Sequence, residues 1–146
     1  MMKTYLYALT ASLFVLSACQ TEPKDAREIL ENVDAYIGKR VTMKAKLRAG
    51  VQCKLETEDG EWKTYCRNCQ FCRGPFVVDL GQDSDEFADW PMVLGGTWKQ
   101  RDIRCKGPLN EVECYPFEPG KTYVLEGVLE RSNPPKLFVD GFREAS

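Results

Sequence analysis

Six cysteines between positions 53 and 114, in a chain without a single histidine, constrain this sequence more than anything else in it. Cys53, Cys66, Cys69, Cys72, Cys105 and Cys114 are an even set, and an even set in a small exported domain reads as a disulfide framework. Export is written at the start. Met1-Met2-Lys3 and an apolar run from Tyr5 to Val15 form a positively charged start and a hydrophobic stretch too short to span a bilayer, so the segment is a secretion leader and not a membrane helix. The lack of histidine removes the commonest general base, the commonest metal ligand and the usual switch near neutral pH.

The seventh cysteine stands where the leader ends. Leu16-Ser17-Ala18-Cys19 resembles the lipobox of bacterial lipoproteins, and polar Gln20-Thr21-Glu22 follows at once. The resemblance implies a signal peptide of residues 1–18, cleavage before Cys19, and fatty acyl chains such as palmitate on that cysteine. Each buried CH₂ contributes about 0.8 kcal/mol, so several chains together anchor a protein durably where one does not. In that family an Asp after the cysteine favours the inner membrane; Gln20 therefore implies the outer membrane, with the domain facing the periplasm. The alternative is an ordinary secretory leader cut near Ala18, which would leave one odd thiol.

Residues 19–24 make a short tether, and residues 25–146 are long enough for one domain with a real core. The net charge of −2 becomes −3 when Lys3 leaves with the signal peptide, so no nucleic acid partner is expected. Asp25 and Glu28 have capping-box spacing, and Ala26, Ile29, Leu30, Val33 and Ile37 recur at helical intervals up to Gly38, predicting one amphipathic helix over 25–37. Val41 to Arg48 alternates strictly, with apolar residues at odd positions, as a half-buried strand does. Gly50 then marks a bulge or bend before a hairpin of 51–55 and 62–66, turning at Glu58-Asp59-Gly60-Glu61. Further strands are expected at 76–80, 92–94 and 97–105, with an acidic loop or short helical turn at 83–89, and residues 121–131 and 136–143 read as a terminal hairpin.

The run Tyr36-Ile37-Gly38-Lys39-Arg40 into 41–47, the late strand through Thr122-Tyr123-Val124-Leu125-Glu126-Gly127-Val128 and the final Leu137-Phe138-Val139 resemble bacterial OB-fold domains of the anticodon-binding-like type. The fold this implies is mainly β: a small OB-like five-stranded barrel preceded by one amphipathic helix and stapled by disulfides.

Chemistry concentrates at Cys66-Arg67-Asn68-Cys69-Gln70-Phe71-Cys72, two overlapping Cys-x-x-Cys units. A disulfide knot ranks first. A cysteine-metal site with Cys53 as fourth thiolate, or a thiol-disulfide oxidoreductase centre at Cys69 and Cys72, are the alternatives, though Arg73-Gly74-Pro75 is a turn where a redox motif would open a helix. Cys105 and Cys114, nine residues apart, are the pair expected to bridge, and Cys53 is expected to tie the first strands to the 66–72 segment. The acidic residues Asp79, Asp83, Asp85, Glu86 and Asp89 lack calcium-loop spacing. Lys39, Arg40, Lys44, Lys46 and Arg48, with Arg67 and Arg73, are candidates for a phosphate or acidic-sugar face, but the wet side of a strand explains three of them. Trp62, Tyr65, Phe71, Trp90 and Trp98 are candidate stacking residues or core. No nucleophile, base and oxyanion donor assemble, so no catalytic residue and no cofactor is assigned. The expectation is a membrane-anchored envelope lipoprotein whose domain binds a partner protein or an envelope glycan.

Overall fold

Asp25 closes a two-residue strand, β1 (Lys24–Asp25), and caps the helix α1 (Ala26–Glu31), its carboxylate accepting from the Arg27 N–H at 2.9 Å. This geometry comes from a computed structural model, which describes residues 22–56, 62–64, 71–82, 84 and 86–146. Glu28 does not complete a capping box; it pairs with Lys24 at 2.9 Å. The helix is also shorter than the predicted 25–37. Its backbone leaves the helical region at Asn32 (φ −138°, ψ 48°), and a 3-10 turn, Val33–Ala35, carries the chain on. Gly38, at φ +76°, then donates its N–H to the Leu129 carbonyl at 2.7 Å. Breaking the helix lets fully buried Ile29 and later Ile37 reach the same core while the chain swings into the barrel.

The strands that follow are β2 (Arg40–Ala49), β3 (Gln52–Glu56), β4 (Trp62–Thr64), β5 (Phe71–Gly74), β6 (Phe76–Val78), β7 (Val93–Gly95), β8 (Thr97–Trp98), β9 (Arg101–Asp102), β10 (Arg104–Pro108), β11 (Glu113–Tyr115), β12 (Thr122–Glu130) and β13 (Lys136–Glu144). Five close into the expected OB-like barrel: β2 pairs with β12, β12 with β13, β13 with β7, β7 with β6, and β6 with β2 again. Only β13 and β7 run parallel within that ring. The alternation along β2 does what the sequence predicts, burying Val41, Met43, Ala45 and Leu47 against Phe76, Phe117, Leu125 and Leu137. Phe117 is the hub of the core's aromatic contacts, with ring centroids 5.1 Å from Phe76, 4.9 Å from Tyr123 and 4.6 Å from Phe142.

Where β2 ends, Gly50 passes the chain from the barrel to a second sheet, ordered β11-β10-β5-β3-β4. A Cβ there would collide with Val77 and lie 2.9 Å from the Trp90 ring, so only glycine fits. The predicted strand 97–105 is instead a β8–β9 hairpin followed by β10. The chain reverses at Lys99 (φ 49°) and Gln100 (φ 65°), the positive-φ pair that a two-residue hairpin turn requires.

Candidate binding face

The second sheet owes its two unlike faces to alternation around its cysteines. Cys53 lies directly opposite Cys72 across β3 and β5, Cys105 opposite Cys114 across β10 and β11, and both pairs are disulfides with Cα atoms 4.0 Å apart. Cys72 and Cys105 are fully buried on the inner face. Because side chains alternate along a strand, the neighbours of each cysteine, Arg73, Arg104, Lys106, Glu113 and Tyr115, share the outer face.

On that outer face lies an open groove of about 980 Å³, walled by β10, β11, Phe71 of β5 and the tip of the β8–β9 hairpin. A smaller one of about 400 Å³ continues it across the sheet past Gln52 and Arg73, and the two share Arg104. Arg101 of the hairpin stacks over the Tyr115 ring at 3.8 Å, and the Tyr115 hydroxyl donates to the Trp98 carbonyl at 3.0 Å. These contacts clamp hairpin to sheet at one end of the groove. Arg104 has Asp102 at 3.7 Å. Arg101, Lys106, Glu111 and Glu113 make no ion pair among the described residues, so the groove presents charges of both signs to solvent.

The other candidate residues are scattered. Arg40 is held by Asp140 in a two-pronged pair of 2.6 and 2.7 Å, which lowers the Asp140 carboxyl below its usual 3.8, chiefly through the guanidinium hydrogen bonds. Lys46 faces Asp79 at 3.8 Å. Arg48 donates to the Ser84 carbonyl at 3.0 Å and lies 5.9 Å from the centre of the Trp90 ring. The five basic residues of 39–48 therefore do not gather with Arg73 into one site, and Arg67 lies outside the described residues.

Trp90 is core. It packs on Val77 and Val93 outside the barrel, is only 3 % exposed, and donates its indole N–H to the Ser84 carbonyl at 3.0 Å. That cluster covers the outer side of β6 and β7, the face where OB-folds commonly hold ligands. Trp98 is half-buried against Phe142 at 4.6 Å. In the acidic loop, Asp89 accepts from the Ser84 hydroxyl at 2.8 Å and Asp79 from the Gly81 N–H at 2.8 Å, bonds that shape the loop itself. Asp83, Asp85 and Tyr65, and the side chain of Trp62, lie outside the described residues.

Among the cysteines, Cys105–Cys114 is the pair the spacing predicts, and Cys53–Cys72 ties β3 to the clustered segment. The sulfur that the redox reading assigned to a Cys69–Cys72 dithiol is bonded to Cys53 instead, and the fourth thiolate of the metal reading is used by the same bond. Cys19, Cys66 and Cys69 lie outside the described residues. Sequence reasoning missed Arg101, Arg104, Lys106, Glu113 and Tyr115 as a group. The signal for four of them was present in Arg104-Cys105-Lys106 and Glu113-Cys114-Tyr115: a bridged cysteine points inward, so both its neighbours point out.

Comparison with family models, with curated proteins and with solved structures yields no match. Among the described residues no helix is long and apolar enough to cross a membrane.

Proposed function

We propose that this chain is a lipid-anchored protein of the bacterial envelope, held at the outer membrane through Cys19, whose OB-like domain binds an envelope glycan or a partner protein without transforming it. One observation carries the reading: an open, charged sheet face held rigid from behind by two cross-strand disulfides. Disulfides persist where thiols are oxidised, which supports an exported domain, and a preorganised polar groove loses little entropy on binding. The lipobox-like Leu16-Ser17-Ala18-Cys19 supports the anchor.

Two measurements test it in intact cells. Radiolabelled palmitate should enter the wild-type protein and not Cys19→Ser. Envelope crosslinking should trap a component through the second sheet; an unlabelled, freely soluble protein that traps nothing would end the proposal.

A further inference from the structure

Among the described residues four large apolar side chains are exposed, and two of them, Val128 (40 % exposed) and Phe138 (38 %), are direct partners across β12 and β13. They stand level with Arg40, the first residue of β2, and so at the opposite end of β2 from the one where Gly50 leads into the second sheet. β7 sets Gly95 opposite Phe138, where a Cβ would lie 2.9 Å from the Lys136 stem. The missing side chain gives that stem room beside the ring, with its ammonium 5.6 Å from the ring centre. The charges around the pair are balanced: Arg40 is held by Asp140 and Glu126, and Glu130 stands opposite Lys136.

The tether leads to the same end. β1 pairs with β2 in parallel, Lys24 opposite Met43, so the chain enters β1 from the Arg40 side. Lys24 comes five positions after Cys19, a span of up to about 17 Å. From Lys24, Phe138 lies about 10 Å along the strands and three strand spacings, about 14 Å, across them. A bilayer holding acyl chains on Cys19 is therefore within reach of both apolar side chains. We propose that this end of the barrel rests on the membrane that holds the anchor, with Phe138 and Val128 at the headgroup boundary and Lys136 extended beside them to lipid phosphate. The inference rests on the lipoprotein reading above and adds the face that meets the bilayer. Aromatic rings favour that boundary, and the balanced charges make the contact independent of anionic lipid. Against a second copy on this face, two side chains fall far short of the roughly 800 Å² a side that a stable interface buries, and the charges around them are already paired. The ten residues of β2, about 30 Å of strand, separate the contact from the second sheet, so the groove lies outside it.

The test reconstitutes the full-length lipidated protein, disulfides intact, in phosphatidylcholine vesicles that carry a nickel-chelating lipid. A nitroxide is attached through a keto-bearing residue in place of Glu130, beside the contact, or of Leu109, between β10 and β11 in the second sheet. Headgroup nickel should relax the label at 130 at least threefold more than the label at 109. Phe138→Ser and Val128→Ser should each cut that excess by at least half, and Glu113→Ser in the second sheet should leave it unchanged. Adding phosphatidylglycerol should alter it less than twofold. Equal relaxation at the two positions, an excess that survives both serine variants, or one that needs anionic lipid overturns the inference. So does broadening between labels at 130 that vanishes on dilution with unlabelled protein, because a second copy then covers the face. Flotation separates the failures: protein that floats with the vesicles yet relaxes equally at 130 and 109 loses only this contact, whereas protein that does not float loses the anchor and the contact together.

Discussion

At the scale of single residues, Trp90 shows how a side chain with a plausible ligand role is consumed by the fold. It closes a small apolar cluster with Val77 and Val93, and the absent side chain of Gly50 makes room for its ring. Trp90→Ala should therefore destabilise by about 3–5 kcal/mol, measured by urea unfolding, because a large buried ring leaves a cavity behind. Gly50→Ala should cost about 1–3 kcal/mol, since the new methyl has to displace Val77 and the Trp90 ring. Asp140 offers a pH signature. Its carboxyl is held below its ordinary value by the hydrogen bonds from Arg40, so its stabilising effect is present above the unfolded pKa and is lost as pH falls through the lower, folded one. Asp140→Asn should be slightly less stable than wild type at pH 7, as suits an exposed pair, with the gap closing below about pH 4 in parallel unfolding titrations.

At the scale of elements, the second sheet depends on its bridges more than the barrel does, because the barrel closes on itself while the sheet ends in open edges. The loops closed are 19 and 9 residues long. Loop-closure entropy then assigns about 3 kcal/mol to Cys53–Cys72 and about 2.5 kcal/mol to Cys105–Cys114. Paired Cys→Ala variants should show losses in that order in denaturant titrations. The β8–β9 turn is a second local test. Lys99 and Gln100 hold positive φ without the residues that favour it, so replacing the pair with Asn-Gly should raise stability by about 1 kcal/mol.

At the scale of the whole molecule, the proposal joins an anchor, a barrel and a binding face in one chain with a six-residue tether, 19–24. Cys19→Ser should move the protein from the membrane fraction to the soluble one without altering its unfolding midpoint, as fractionation and denaturation of the same preparation would report. By itself the sequence determined what depends on local period and composition: β2 from its alternation, the terminal hairpin from two long β-rich runs, the cap at Asp25, the Cys105–Cys114 bridge from short separation. The tertiary structure alone decided what depends on residues far apart in the chain. It stopped the helix at Asn32, because Gly38 has to meet Leu129; it spent Trp90 on the core, because Gly50 lies beneath it; and it brought Arg73 beside Lys106, 33 positions later, because β5 pairs with β10. Period reports which side of a strand a residue takes, but only pairing between distant strands says which residues become its neighbours.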